Sequence, residues 1–229
     1  MLLEYEDIRR FCPYLSEKAS PGLAANELRG IVDAAQNPSV GSRNSLLQAR
    51  IWLEKCYSAH GLCPITPNDF APTRLLDLKP ADETGFLSLV STIQKPNMKW
   101  VALSYVWGGD QTFKTTLSSL TSMHEKVSIL ALPRTLQDAI IVCVALGVRY
   151  LWIDCICIAQ DDEEDLAREL AIMPLIYHRA WVTISASTAD TVSTGFLHDQ
   201  GYWTSIVKTP VLLPYRSEDG IIAGNISKK

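Results

Sequence analysis

Three apolar blocks dominate the hydrophobic pattern of the chain. They are residues 100–109 (WVALSYVWGG), 150–162 (YLWIDCICIAQDD) and 180–187 (AWVTISAS). Two segments with apolar side chains at helical spacing separate them, over 132–146 and from about 161 to 177. The order strand, helix, strand, helix, strand predicts a parallel sheet flanked by helices, which is an α/β fold. Such sheets carry their chemistry at the carboxyl ends of the strands, so we expect the site just after the first two blocks.

Local signals set the expected ends of the two helices. Pro133 suits the first turn of the first helix, and Gly147 is placed to end it. Four acidic residues over 161–164 suit the start of the second helix, where negative charge complements the helix dipole. Pro174 lies within that helix, so we expect a kink or a split there.

The segments before and after these blocks are less regular. Residues 44–60 are predicted to form a helix capped by Asn44 or Ser45, and 73–78 and 85–90 are predicted to be short strands. The apolar stripe of that helix consists of Leu46, Ala49, Leu53, Cys56 and Tyr57. We predict an N-terminal extension over 1–43, a domain over 44–200 with its core at 98–197, and a tail over 201–229. A possible edge strand lies at 209–214.

Composition excludes several classes of function. The net charge of -4 gives no electrostatic footprint for nucleic acid. The longest apolar run, 139–148, is about half the length that a membrane-spanning helix needs. The N-terminus lacks the apolar core of a secretory signal, so we expect a soluble, cytoplasmic protein. Six cysteines spread over 229 residues do not form the pattern of a disulfide framework, and Cys143, Cys155 and Cys157 are predicted to be small buried thiols.

Polar residues and glycines at the ends of the first two blocks are the candidate ligand-binding residues. After the first block they are Ser104, Tyr105, Trp107, Gly108 and Gly109. The glycine pair either lets a backbone approach a ligand or forms a tight turn beneath a packed tryptophan, and the pattern alone favours the turn. In the second block, Asp154 lies within an apolar strand and needs a partner, either a structural one or a ligand. Gln160 and Asp161 lie at the end of that strand and are better placed to meet a ligand.

Two further groups carry reactive side chains. Glu169 lies one helical turn after Asp165, and from spacing alone an exposed glutamate paired with Arg168 is favoured over a carboxylate that leans over the cleft. Cys56, His60 and Cys63 have a spacing that zinc accepts, but a closed site needs a fourth ligand that the sequence does not offer. Helix packing and capping are therefore favoured for these three residues, and no metal site is predicted.

Several ordered segments strongly resemble the fungal heterokaryon incompatibility (HET) domain. They are VALSYVWGG (101–109), LPRTLQDAIIVCVALGVRYLWIDCICIAQDD (132–162) and ELAIMPLIYHRAWVTISAS (169–187). The resemblance extends to 52–63, 72–78 and 195–197. It implies a role in non-self recognition and programmed cell death when incompatible fungal cells fuse. It also implies a relation to the TIR domain, whose fold is a flavodoxin-like parallel sheet wrapped by helices.

The same resemblance implies a chemistry. Some TIR domains cleave NAD at the nicotinamide–ribose bond with a glutamate on a helix, and Glu169 matches the glutamate of the HET segment usually written D-W-x-x-E. It implies Glu169 as the catalytic residue, NAD as a substrate rather than a cofactor, and no metal. The chain departs from the family pattern at Leu166, which replaces a tryptophan, at Pro174, and at Val106, which replaces a cysteine or a small residue. The alternative is a non-catalytic module that acts by self-association or by docking to an incompatibility receptor.

Overall fold

A computed structural model describes residues 40–59, 70–79, 85–93, 98–198, 213–216 and 222–226. Five helices lie in this part of the chain: α1 (Arg43–Ala59), α2 (Leu120–Glu125), α3 (Arg134–Leu146), α4 (Asp154–Cys157) and α5 (Glu163–Arg179). Its strands are β1 (Arg74–Asp77), β2 (Phe86–Ser91), β3 (Trp100–Ser104), β4 (Val127–Ser128), β5 (Tyr150–Trp152), β6 (Val182–Ser185), β7 (Leu213–Arg216) and β8 (Ile222–Ile226). No helix in these residues is both long and apolar enough to cross a membrane.

The main sheet has six strands in the order β4-β2-β1-β5-β3-β6. Strand β3 pairs in parallel with β5 and β6, whereas β1 pairs antiparallel with β5 and with β2, and β2 pairs antiparallel with β4. The predicted α/β class is therefore confirmed, but the sheet is mixed. Only the three strands formed by the apolar blocks are parallel, because helical crossovers join them in the chain.

The connections of the parallel strands change direction at β3. The chain passes from β3 through α3 to β5 on one side, and then through α5 back across β3 to β6. Right-handed crossovers in opposite directions place α3 and α5 on opposite faces of the sheet. The carboxyl ends of β3 and β6 thus flank a topological switch point, where open α/β sheets bind ligands.

Two tryptophans anchor α5 to the sheet. The side chains of Trp100 and Trp152 are fully buried. The Trp100 indole donates to the carbonyl of Ile176 at 3.3 Å, and the Tyr177 hydroxyl donates to the carbonyl of Leu103 at 3.1 Å. Burying a large apolar side chain of this kind stabilises the fold by about 2–3 kcal/mol. The helix is therefore held against β3 and β5 by both packing and hydrogen bonds.

The end of α3 matches the sequence signal. Gly147 has a φ of 73° and is the left-handed residue that ends the helix, as predicted. Its N–H bonds to the carbonyl of Val144 at 3.0 Å. A side chain at this φ is strained, so glycine allows the short connection to β5.

The second apolar block differs from its prediction. Strand β5 ends at Trp152, and Asp154 begins the short helix α4 instead of lying within a strand. The N–H groups of Ile156 and Cys157 bond to the carbonyl of Ile153 at 3.1 and 2.7 Å, which closes this turn. A short apolar run does not distinguish a buried strand from a buried helical turn, because both are apolar on all sides.

Other elements also begin or end at residues that differ from the predicted ones. The cap of α1 is Ser42, whose hydroxyl accepts the N–H of Ser45 at 3.2 Å, so the predicted caps Asn44 and Ser45 were wrong. Helix α5 runs unsplit through Pro174, which lies on the exposed side, where water can replace the lost hydrogen bond. Of the predicted edge strand at 209–214, residues 213 and 214 are described and lie in β7, which pairs antiparallel with β8 in a separate two-stranded sheet. The predicted extension lies almost wholly outside the described residues.

Candidate functional site

The carboxyl edge of the parallel strands gathers most of the polar groups singled out in the sequence. Strand β1 runs antiparallel to β5 with Leu76 opposite Leu151, so Arg74 at its start lies near the carboxyl end of β5. Tyr105 to Gly109 leave the end of β3, and Asp154 follows β5 directly. Two clusters of side chains form here, one around Asp154 and one around Asp165.

Asp154 lies among the aromatic residues that follow β3. Its Oδ2 accepts the Trp107 indole N–H at 2.9 Å, and its Oδ1 accepts the N–H of Cys155 at 2.6 Å. Burial raises the pKa of Asp154, and these hydrogen bonds oppose the rise. The buried Tyr105 hydroxyl has no hydrogen bond of good geometry, and burial together with the nearby Cys155 and Asp154 raises its pKa. The fold thus brings Tyr105, Trp107 and Asp154 together.

The two glycines after β3 have different surroundings. Gly108 has a φ of 75°, and a Cβ at this position would lie 2.6 Å from the Cβ of Thr191. Gly108 is therefore required by a tight turn packed against the chain that follows β6. Gly109 has a φ of 141°, and a Cβ there would meet nothing within 4 Å. Of the pair, only Gly109 borders open space.

Gln160 and Asp161 connect loops within the fold. The Gln160 amide donates to the carbonyls of Asp154 and Ile158, each at 3.1 Å. Asp161 accepts the N–H of Leu117 at 2.7 Å. The candidate Ser104 ends β3 with an exposed side chain. The predicted residues therefore share one edge, but several of them already have partners there.

Glu169 is buried, contrary to the exposed position that its spacing favours. Its side chain is 0 % exposed, and neither oxygen has a hydrogen-bond partner. Burial raises the pKa of Glu169, although the nearby Thr73 hydroxyl and Arg74 guanidinium favour the charged form. The Nε of Arg168 lies 3.8 Å from its Oε1, but the Arg168 side chain is about half exposed. This carboxyl group is thus desolvated without the hydrogen bonds that usually compensate.

Asp165 is also buried, but its carboxylate has many partners. It forms ion pairs with Arg74 and Arg168 and accepts the N–H of Ala159 at 2.8 Å. Arg74 also donates from Nε to the carbonyl of Cys157 at 2.7 Å. Asp165 therefore connects β1, the end of α4 and the first turn of α5. Its partner Arg74 was not predicted, since nothing local marks a strand arginine as buried.

Charged groups of both clusters act on the thiol of Cys157. Burial raises the pKa of its thiol to about 12, and the charges of Arg74, Glu169 and Asp154 act on it as well. Because Glu169 makes no hydrogen bond, it does not contact Tyr105 or Gln160 in that way. The carboxyl groups of Asp154 and Glu169 both act on the same thiol, that of Cys157.

Comparison with known proteins assigns the chain to a family. The family model described as "Heterokaryon incompatibility protein (HET)" matches residues 100–214, which is 115 of the 229 residues. The chain belongs to the heterokaryon incompatibility family. The match covers β3, β5, β6 and both site clusters except Arg74.

A curated relative agrees with the assignment. This HET chain is 31% identical over 120 residues to "Heterokaryon incompatibility protein 6, OR allele" of Neurospora crassa. The aligned region is 47% of this chain and 17% of that protein, so the chain spans a small part of the relative's length. No solved structure matches the HET chain.

A third cluster of this HET domain was missed in the sequence. Asp138 on α3 is 1% exposed, and its Oδ2 accepts the N–H groups of Phe196 and Leu197 at 2.8 and 3.0 Å. The Nε of Arg134 lies 3.0 Å from its Oδ1. Gly195 precedes with a φ of 76°, and a Cβ there would lie 2.6 Å from the Cγ of Arg134. An aspartate directly before the apolar run 139–148 was the available signal, since a buried carboxylate needs a partner.

One of the three candidate zinc ligands lies in the described part of this HET domain. Cys56 is partly buried in α1, whereas His60 and Cys63 lie outside the described residues. Within the described part of the chain, no three His, Cys, Asp or Glu side chains are grouped so as to hold a metal ion. Cys143, Cys155 and Cys157 are buried free thiols, as predicted.

Proposed function

We propose that this HET chain is an effector of fungal non-self recognition and programmed cell death that hydrolyses a nicotinamide dinucleotide, with Glu169 as its catalytic carboxylate. One observation carries the proposal. Glu169 is fully buried with neither oxygen hydrogen-bonded, close to Arg74 at the carboxyl end of β5. Such a group costs stability, and a raised pKa from desolvation beside a specific charge is typical of functional sites.

The chemistry suits a carboxylate in this environment. Water adds to C1′ of the ribose while the bond from C1′ to the nicotinamide nitrogen breaks, and its electron pair leaves with the now neutral ring. Positive charge develops at C1′, where a carboxylate stabilises it. A raised pKa also makes Glu169 a stronger base, which suits it to take the proton that the attacking water loses.

Neighbouring residues have the chemistry to bind the rest of a dinucleotide. Trp107 and Tyr105 offer flat rings at the same edge, on which an aromatic base can stack. Gly109 borders open space, so a phosphate can approach its backbone. The strand order β5-β3-β6 supports a relation to TIR domains, because flavodoxin-like sheets place their first strand between the second and the third.

Access requires a conformational change. Glu169 lies on the buried side of α5, close to the start of β1, and the ion pair of Arg74 with Asp165 holds the helix to that strand. A substrate therefore reaches the carboxylate only when this contact opens, as the lids of many enzymes do. The proposed active state differs from the described one in the position of α5 relative to β1.

A second candidate function is a non-catalytic module that acts by self-association or by docking to an incompatibility receptor. Several of the predicted ligand residues already bind other parts of the same chain, which favours this non-catalytic function. Gly108 packs against Thr191, while Gln160 and Asp161 bind loops of the same chain. In this alternative the edge of the sheet is structural, and Glu169 has no substrate.

Nicotinamide release separates the two functions. The purified full chain is incubated with NAD, and we expect Glu169→Gln to lower the rate at least about 100-fold while the near-UV circular dichroism is unchanged. The control Glu125→Gln removes an exposed carboxylate and should keep the rate. The acid limb of the pH–rate profile should lie above the ordinary glutamate value of 4.5. If the wild type releases no nicotinamide yet kills fungal cells, and Glu169→Gln kills equally well, the enzymatic proposal is wrong and the module remains.

A further inference from the structure

The middle of the solvent-facing side of α5 is largely apolar, with the half-exposed Arg168 beside it, which is unusual for a surface helix. Its exposed positions recur at helical spacing and form what we term the outer stripe: Ala167, Leu170, Ala171, Pro174 and Leu175. Leu170 is 50% exposed and Leu175 is 37% exposed. The outer face of such a helix normally carries charged residues, and a contiguous apolar surface there marks an interaction site.

Charges of opposite sign lie beyond the two ends of the outer stripe. Glu163 and Glu164 are in the first turn of α5, and His178 and Arg179 are in the last turn. The helix thus presents an acidic end, an apolar middle and a basic end. This order complements itself when a second copy is turned by 180°, because each acidic end then meets a basic end and the two helix dipoles are antiparallel.

We propose that the outer stripe of α5 binds the outer stripe of a second copy of this chain, with the two helices antiparallel. The two-fold axis passes near Ala171, the ninth of the 17 residues of the helix. Its small side chain lets the two helices approach closely. Ala167 then lies opposite Leu175 of the second copy, and Glu164 lies opposite His178 of the second copy. This register pairs apolar positions along the outer stripe and acidic with basic positions at its ends, and it places Arg168 opposite Pro174 of the second copy.

The size of the surface sets the expected affinity. At 1.5 Å per residue the helix is roughly 25 Å long, and one helix pair of this length buries less than the roughly 800 Å² per partner of a standard interface. We therefore expect a dissociation constant in the micromolar range or weaker. The interface does not depend on catalysis, although α5 also carries Asp165 and Glu169 on its buried side.

Sedimentation velocity of the full chain, from about 1 µM to about 500 µM, tests the association. The wild type should pass from monomer to dimer over this range. Leu170→Glu combined with Leu175→Glu should raise the dissociation constant at least tenfold, because it places charge in the interface. The matched control Ile93→Glu changes another exposed apolar residue, 71% exposed, and should leave it unchanged. A wild type that stays monomeric, or a dimer that the double variant leaves intact, overturns the proposal.

A charge exchange tests the antiparallel orientation. Glu164→Lys and His178→Glu should each weaken the dimer by roughly two- to fivefold. The double variant should return to within about twofold of the wild type, since both end contacts again join opposite charges. A parallel pair would place like residues together in the wild type and in every variant, so the absence of this weakening and rescue refutes the orientation. If the chain is monomeric and the substitutions on the outer stripe lower its melting temperature instead, another segment of the same chain covers the stripe and the proposal is wrong.

Discussion

Neutralising Glu169 should stabilise the fold, and the gain should depend on pH. The carboxyl group is 0 % exposed and neither oxygen has a hydrogen bond, so its charged form is poorly compensated. Burial holds its pKa above the ordinary 4.5. Between that value and the folded pKa, the native state binds more protons than the unfolded state, so wild-type stability falls as the pH rises. Glu169→Gln removes this loss.

The magnitude follows from the surroundings of the group. A buried ion costs several kcal/mol after relaxation. The nearby Thr73 hydroxyl and Arg74 guanidinium offset part of this cost. Arg168, whose Nε lies 3.8 Å away, adds little, because its side chain is 53% exposed and such pairs contribute about 0.2–1 kcal/mol. The glutamine amide leaves its own donors unpaired at a cost of about 1–2 kcal/mol. We therefore expect a gain of about 1–3 kcal/mol near pH 8, with melting raised by about 2–4 °C per kcal/mol.

Urea unfolding at several pH values measures this gain. The difference between Glu169→Gln and the wild type should be near zero below pH 4.5, where the wild-type carboxyl group is protonated in both states, and should grow as the pH rises. The matched control is Asp165→Asn, one turn earlier on the same helix. This carboxylate is held by Arg74 and Arg168, so its variant should lose about 3 kcal/mol.

Two results would refute the reasoning. A Glu169→Gln variant that is less stable than the wild type near pH 8 would mean that the carboxylate has a partner that stabilises its charged form. A gain of the same size at low and high pH would mean that the effect comes from packing and not from charge. A stabilised variant that also loses nicotinamide release would fit a group kept for function at the expense of stability.

Two further changes have clear expectations from the structure. Gly108→Ala should lower the free energy of unfolding in urea by about 2–4 kcal/mol, because the new Cβ would lie 2.6 Å from the Cβ of Thr191 at a φ of 75°. The control Gly109→Ala places a Cβ that meets nothing within 4 Å, so it should cost less. Equal losses for the two variants would exclude a role for the contact with Thr191. Burial alone would raise the pKa of Asp77, but its hydrogen bonds, chiefly from Arg149, lower it. Because the Arg149–Asp77 pair is partly exposed, Arg149→Met should lower the free energy of unfolding by only about 1 kcal/mol near pH 7. The difference from the wild type should shrink as the pH falls below 3.8, where Asp77 becomes protonated in the unfolded state and then in the folded state. A difference that stays constant with pH would contradict this cause.

The best-predicted elements are those with strong local signals. Helix α3 was predicted at 132–146 and lies at Arg134–Leu146, because its apolar stripe and Gly147 act within a few residues of chain. The predicted strands at 73–78 and 85–90 also correspond to β1 and β2. Their antiparallel direction was not predicted, since pairing joins segments far apart in the chain and leaves no periodic signal in either.

The candidate site was likewise predicted only in part from the sequence. The sequence alone determined that the residues after the first two apolar blocks lie at the carboxyl edge of the sheet, because strands that alternate with helices place their ends on one side. Only the tertiary structure decided that Asp165 is neutralised by Arg74 while Glu169 is left without a hydrogen bond. The two acids lie on the same buried face of α5, one turn apart. Their electrostatic environments depend on Arg74, about 90 residues earlier in the chain. The antiparallel pairing of β1 with β5 places Arg74 in an ion pair with Asp165, but only near Glu169.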